Sequence, residues 1–257
     1  MIDFNTHEIS DAFQTLMDKT IVDKETRSRV PRQYLGASRL GVDCLRSLQF
    51  EIMDVKKDSD KEIEGRIYRI FHRGHQGEEW LKVWMAEAGF TLEGTQDGFT
   101  LCDNLIAGHC DGIITSGPEA FAPYPRLWEC KVLGNKGISK LLNHRLRKGY
   151  PVYYAQIQIY MAALAEQGNG GKGWIGLDRN PALFTALNAD TMNIYAESVE
   201  FDGEYAQRTY YRGEQVIRAC QENYYLPRLS ADPAFFVCKM CSWQQRCHAM
   251  TNDKIDG

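Results

Sequence analysis

The chain of 257 residues reads as an α/β protein: a mixed central sheet flanked by helices, with a cysteine-bearing element joining its N- and C-terminal regions. Three observations lead there. Short runs with strand character fill Gly89 to Thr115, Arg126 to Val132, Trp174 to Leu177 and Met192 to Phe201. Long stretches with helical spacing of apolar residues surround them, above all Glu64 to Gly89 and Tyr153 to Leu164. Three cysteines crowd the C-terminal region while Cys44 stands far upstream. The length allows one large or two small domains. The expected organisation is one domain over 1–257: a helical N-terminal segment over 1–62, a core over 63–225 and a cysteine-rich cap over 226–257.

Composition narrows the class. Hydrophobic and charged fractions are ordinary for a globular protein. No apolar run approaches a membrane span, and Met1 to Ser10 is polar and acidic rather than a signal peptide, so the expectation is a soluble cytoplasmic protein. A net charge of −4 excludes a uniformly basic nucleic-acid binder but permits a local basic patch. Eight cysteines in a reducing compartment point to metal or cluster ligation rather than a disulfide framework.

Met1 to Arg32 reads as a helix (Ile9, Phe13, Leu16, Met17) followed by a charged connection. Ser38 is the expected N-cap of a short helix presenting Cys44, a residue that taken alone is an ordinary small hydrophobe. Glu64 to Gly89 is the clearest long helix, with Ile67, Ile70, Phe71, Leu81 and Trp84 along one face. Gly74 and Gly77 inside it cost about 1 kcal/mol each relative to Ala, which suggests close packing against the sheet. His75 with Glu78 (i, i+3), or with Glu79 (i, i+4), can share a face. Such a set on its own is more often a solvated surface.

Leu105 to Ile114 reads as a strand carrying Asp111, Ser116 to Pro125 as a loop, and Arg126 to Val132 as a buried strand that ends at Gly134. Side chains alternate along a strand, so Glu129 and Lys131 project to one side and Cys130 to the other. If the two strands are hairpin neighbours, Asp111 and Glu129 can share one hard cation, Mg²⁺ or Mn²⁺, with Lys131 beside them. That arrangement suits phosphodiester hydrolysis: the ion polarises the phosphate and a bound water, and the lysine orients the water or stabilises developing charge. Exposed strands carry E-x-K patterns often, so this set needs support from the rest of the chain.

Val132 to Pro151 contains Lys136, Lys140, His144, Arg145, Arg147 and Lys148 and no acid. Beside a metal site it is a candidate DNA-backbone contact, with Lys136 in a Gly-Asn-Lys-Gly turn able to wrap a phosphate. The alternative is a solvated helix face. On the following helix, Gln156 and Tyr160 lie one turn apart and could support Lys131 or a phosphate. Gly168 to Gly173 is a turn, Asp202 to Tyr225 a helix and Leu226 to Pro233 a connection. Cys238, Cys241 and Cys247 then follow with C-x2-C-x5-C spacing. A fourth ligand would come from Cys44, His248 or Cys220. Zinc accepts Cys₄ or Cys₃His, and an iron–sulfur cluster favours four thiolates.

Taken in order, these elements resemble the iron–sulfur members of the RecB-like branch of the PD-(D/E)XK nuclease superfamily: CRISPR-associated iron–sulfur exonucleases, the AddB nuclease domain and phage recombination exonucleases. The resemblance rests on Cys44, on Gly74 to Glu78 as the G-x-x-x-(H/E) signature, on Asp111, on Glu129-Cys130-Lys131, on Gln156 and Tyr160, and on the closing cysteines. Cys110 replaces the proline common before the aspartate. The resemblance implies a restriction-endonuclease-like core in which Asp111, Glu129, the Cys130 carbonyl and Glu78 bind Mg²⁺ or Mn²⁺, with His75 and Glu79 as neighbouring candidates for the Glu78 role. It implies that Lys131 activates water, that Gln156 and Tyr160 support it, and that Cys44, Cys238, Cys241 and Cys247 hold a structural 4Fe–4S cluster, zinc being the alternative. It further implies an exonuclease acting on DNA ends in recombination, repair or spacer acquisition, with a recombinase, annealing protein or helicase as companion. A non-hydrolytic DNA-binding subunit and a structure-specific endonuclease are the competing readings.

Overall fold

The computed structural model describes residues 8–30, 32–61 and 63–250. The start of the expected N-terminal helix lies outside them. The molecule is organised around β6 (Arg126–Leu133), whose first five residues are all buried. It pairs antiparallel with β5 (Gly112–Ser116), Gly112 opposite Trp128, and parallel with β7 (Ala182–Asn188), Glu129 opposite Phe184 and Lys131 opposite Ala186. The edges are β2 (Thr91–Glu93) beside β5 and β8 (Ile194–Val199) beside β7, which completes a five-stranded mixed sheet. A second sheet of three strands joins β1 (Leu35–Gly36), β4 (Ile106–His109) and β3 (Gly98–Leu101) in that order.

Two expectations about strands are corrected, and one strand is added. Leu105 to Ile114 is not one strand. It divides into β4 and β5, which belong to different sheets, and Asp111 sits in the step between them. Trp174 to Leu177 is a turn stabilised by Gly173 N–H to Gly168 O (2.8 Å) and Leu177 N–H to Trp174 O (3.0 Å). The strand the sequence reading lacked is β7, buried at all seven positions. A strand in parallel pairing and covered on both faces shows a continuous apolar run instead of alternation.

Helices cover both faces of the large sheet. On one face α3 (Gly65–Glu87) lays Leu81 and Met85 onto Ile114, Trp128, Cys130, Leu183 and Leu187. Gly77 permits this approach, because a Cβ there would come within 2.5 Å of Val132 Cγ2. Gly74 meets nothing within 4 Å, so its expected packing role is not present. On the other face α5 (Pro151–Gly171) and α6 (Gly203–Gln221) close the main core around Ile113, Leu127, Ile157, Phe184 and Val216. The alternation read for β6 therefore holds: Leu127, Glu129 and Lys131 face α5, and Trp128 and Cys130 face α3.

α1 (Glu8–Ser28) docks on the start of α3 through Asp18 to Arg69. Ser38 does not cap a helix. It lies in a short 3₁₀ turn, Ala37–Arg39, and Cys44 itself immediately precedes α2 (Leu45–Ile52). α4 (Asn135–Gly149) takes in the Gly-Asn-Lys-Gly segment as its first turn. Beyond α6 the chain forms two short helices, α7 (Phe236–Lys239) and α8 (Gln244–Ala249). The C-terminal segment is held against α2 and the residues after it. Gln49 Nε2 donates to Tyr224 O (2.6 Å), its Oε1 accepts from Leu226 N–H (2.9 Å), and Trp243 Nε1 donates to Val55 O (2.8 Å). Among the described residues no helix is long and apolar enough to cross a membrane.

Candidate active site

The step between the two sheets and the exposed end of β6 open onto one cleft of about 430 Å³. Asp111, Glu129, Lys131, Gln156, Tyr160, Glu78 and His75 all line it, so seven residues chosen from the sequence meet in one place. Glu79, on the same helix as Glu78, does not line it.

Asp111 is placed by the turn before it. Asp97 anchors that turn, accepting from Asn169 N–H and Trp174 Nε1 at 2.6 Å each. The same turn grips Cys110 through Cys110 N–H to Asp97 O (3.0 Å) and Gln96 N–H to Cys110 O (3.0 Å). Asp111 Oδ2 then accepts from Cys130 N–H (2.8 Å), which ties it to β6 one position from Glu129.

Glu129 is fully buried. Its Oε1 accepts from both Lys131 Nζ and Gln156 Nε2, the latter at 2.6 Å. Its Oε2 has no hydrogen-bond partner among the described residues. Burial raises the Glu129 carboxyl, the nearby Asp111 raises it further, and Lys131 opposes both. Asp111 is raised for the same first reason, with Lys131 opposing and Glu78 adding to the rise. Burial works against the charge on Lys131, yet Glu129 and Asp111 outweigh it and hold the ammonium protonated. The ammonium also lies 5.3 Å from the centre of the Tyr153 ring. Glu78 is held at 2.7 Å by Lys82. Tyr160 packs edge-on against Phe99, and burial pushes its hydroxyl up.

Two raised carboxyls, a third close by and a buried oxygen without a donor form a site short of positive charge. Oxygen donors of this kind suit a hard divalent cation, which often keeps several waters and takes only one or two carboxylates. Among the described residues no three acidic, histidine or cysteine side chains already form a closed metal-binding group.

The basic window falls elsewhere. Lys136, Lys140, Arg145, Arg147 and Lys148 are exposed on α4, and none lines the cleft. Arg145 pairs with Glu197 (3.1 Å), Arg147 with Asp202 (3.1 Å), and Lys140 lies over the Tyr150 ring (4.7 Å). Where a phosphate would sit at the start of α4, Asp190 Oδ2 already accepts from Asn135 N–H (2.7 Å). The cations facing the cleft are Arg32 and Arg39, with His109 and Ser38 nearby. The sequence reading missed them. The available signal was their place in the segment leading to Cys44, which carries no periodic pattern.

The eight cysteines are all free thiols. Burial raises Cys238 first, and Cys44 and Cys247 raise it further; Cys241 is raised by burial and then by Cys44, Cys247 and Cys238. Among the described residues these thiols do not form a metal-binding group of three or more. Cys220 is separate: burial pushes it up to about 11, and its polar neighbour is Gln49.

No family model and no curated protein matches the sequence. Solved structures do. The crystal structure of an alkaline exonuclease (LHK-Exo) from Laribacter hongkongensis aligns with a TM-score of 0.50 at 13% identity, covering 75% of this chain and 90% of that one. The same exonuclease in complex with dAMP gives 0.49 at 14% identity, covering 74% and 88%. The crystal structure of SSO0001 gives 0.46 at 14% identity, covering 90% and 94%. The first of these likenesses establishes a shared fold.

Proposed function

We propose that this protein is a metal-dependent deoxyribonuclease that hydrolyses phosphodiester bonds at DNA ends. The observation that carries the proposal is Glu129: a fully buried carboxylate with one oxygen held by Lys131 and Gln156 and the other without a donor, one strand position from the residue whose N–H fixes Asp111. The exonuclease fold of the solved neighbour supports it.

Asp111, Glu129 and the Cys130 carbonyl would hold Mg²⁺ or Mn²⁺, with Glu78 joining them directly or through water. When bound, the ion supplies Lewis acidity to the phosphate and to a coordinated water. Lys131 remains protonated beside Glu129, so its work is to donate a hydrogen bond to water or to a phosphate oxygen, not to remove a proton. Gln156 holds the Glu129 oxygen that Lys131 also uses. Arg32 and Arg39, rather than α4, supply positive charge for the DNA backbone at the cleft. Cys44, Cys238, Cys241 and Cys247 would hold a 4Fe–4S cluster, which takes four thiolate ligands. Its role is structural, closing a loop of roughly 190 residues.

The test is digestion of end-labelled linear DNA beside a closed circle, in Mn²⁺, Mg²⁺ or EDTA, with the visible spectrum of fresh protein recorded. Metal-dependent loss of the linear DNA alone is expected, from brown protein. Cleavage of the circle would make the enzyme an endonuclease. No cleavage under any ion would overturn the proposal, and colourless protein containing zinc would remove the iron–sulfur assignment.

A further inference from the structure

A second concavity lies away from the candidate active site, between the segment that follows α2 and the last helix, α8. It has a volume of about 580 Å³, and Lys56, Lys57 and Arg246 line it. In a chain of net charge −4, this groove gathers three cations, with Asp58 as the acid lining it among the described residues. Among the described residues no carboxylate forms an ion pair with any of the three. The acids at the groove are otherwise engaged. Asp58 is buried, and its two oxygens accept from Gln245 N–H (2.7 Å) and Arg246 N–H (3.2 Å). Asp60 accepts from Gln245 Nε2 (3.3 Å) and pairs with Lys61 (3.7 Å). Arg246 Nε donates to Lys56 O (3.1 Å), which fixes the guanidinium beside the lysines.

The groove is also close enough to the cleft to serve one strand. Arg39 lines the cleft and holds Glu51 at 3.2 Å, near the end of α2. Lys56 follows Glu51 by five residues, so their Cα atoms are separated by at most about 18 Å. DNA advances about 3.4 Å per nucleotide along one strand of a duplex, so a strand passing Glu51, the partner of Arg39, reaches Lys56 within roughly five nucleotides. We propose that the Lys56–Lys57–Arg246 groove is a second contact for the DNA backbone, gripping the same strand beyond the cleft. The proposal rests on the nuclease reading. Free phosphodiester chains match its charge, and its three cations suit repeated phosphates better than a single small anion.

The experiment compares the full-length parent with Lys56→Gln/Lys57→Gln and Lys56→Arg/Lys57→Arg. Fluorescence anisotropy is read in Ca²⁺ with single-stranded oligonucleotides of roughly four and roughly sixteen nucleotides, lengths that stop short of the groove or pass it. The glutamine variant is expected to bind the long oligonucleotide about tenfold more weakly at moderate salt, with a salt slope smaller by about 1.4, and to bind the short one as the parent does. The arginine variant keeps the parent's affinity for both. Equal long-oligonucleotide affinity in the parent and the glutamine variant overturns the proposal. So does loss of affinity for both lengths alike, or discrimination of the parent from the variant by poly-glutamate and not by DNA, which would assign the groove to an acidic protein. Cleavage of end-labelled linear DNA by the parent in Mn²⁺ is scored separately. Its absence sinks the nuclease reading, while the groove is still judged by length-dependent binding.

Discussion

The acidic cleft and the cysteine cap are the two places where a metal-containing group is proposed, and they are built in opposite ways. The cleft sits on the sheet. Its central residue, Glu129, is 0% exposed, its neighbours come from β6, α3 and α5, and hydrogen bonds accepted by Asp97 and donated by Cys130 and Gln156 set its geometry. The cap stands on α7 and α8, helices of four and six residues, which cannot hold shape by their own hydrogen bonds. It is attached to the segment after α2 through Trp243 to Val55, Gln245 and Arg246 to Asp58, Arg246 to Lys56 and an edge-on contact of Trp243 with Phe50. In the cleft the protein organises a place for an ion. In the cap, on the proposed ligation, the ligated group organises the protein.

That contrast predicts the largest effects. Glu129→Gln or Asp111→Asn should lower cleavage by about a thousandfold or more, since each removes a ligand to the proposed ion. Melting temperature should change far less than cleavage does, because Lys131 keeps Asp111 beside it in one variant and Glu129 in the other. Cys238→Ser should do the reverse. It should lower stability by about 3–5 kcal/mol, bleach the visible absorbance, and reduce cleavage only as far as folded protein is lost. Melting curves and specific activity measured on the same preparations check both. A Cys238→Ser protein that melted like the parent while losing all activity would break the comparison.

A smaller effect sharpens it. The raised Glu129 carboxyl makes the metal-free cleft more stable when protonated. A group whose folded value lies above its unfolded value contributes stability at low pH and loses it as pH rises through the folded value. Between about 4.5 and about 8, metal-free protein should therefore become less stable as pH rises, and Asp111 acts in the same direction. Lys131 stays charged across that window and adds no slope of its own. Glu129→Gln should flatten the dependence, and saturating Mn²⁺ should cancel it in the parent. Differential scanning calorimetry in chelator across this range decides the matter. A parent and a Glu129→Gln variant with identical slopes would show that the carboxyl is not raised.

Much of the cleft was legible because strand alternation is a strict geometric rule. Once Arg126 to Val132 is a strand, Glu129 and Lys131 must share a face and Cys130 must oppose them. The position of Asp111 was less legible. The apolar run around it conceals the step from one sheet to the other, which depends on bonds to Gln96 and Asp97 that no local pattern announces. β7 was hidden for a related reason, since burial on both faces erases alternation. The basic window carries ion pairs that its local sequence does not announce. Arg145 and Arg147 pair with Glu197 and Asp202, each more than fifty positions away. Arg32 and Arg39 reach the cleft by tertiary packing alone.

The two glycines of α3 give the smallest and most local test, because they carry the same sequence signal in different surroundings. A glycine inside a helix costs about 1 kcal/mol relative to alanine, so alanine is the better helix former at both positions. At Gly74 an added Cβ meets nothing within 4 Å, and the helical gain should appear in full. At Gly77 the Cβ would lie 2.5 Å from Val132 Cγ2 and 3.3 Å from Leu187 Cδ2, both rooted in the sheet. Gly74→Ala should therefore stabilise the protein by up to about 1 kcal/mol. Gly77→Ala should destabilise it by about 1–3 kcal/mol, since α3 must move off β6 and β7. Chemical denaturation of the two variants reads the sign directly. Because Glu78 follows Gly77 on the same helix, any shift of α3 should also raise the Mn²⁺ concentration needed for half-maximal cleavage in Gly77→Ala, and leave it unchanged in Gly74→Ala. Gains at both positions would mean that α3 is not pressed against the sheet, and that the placement of Glu78 at the cleft has some other cause.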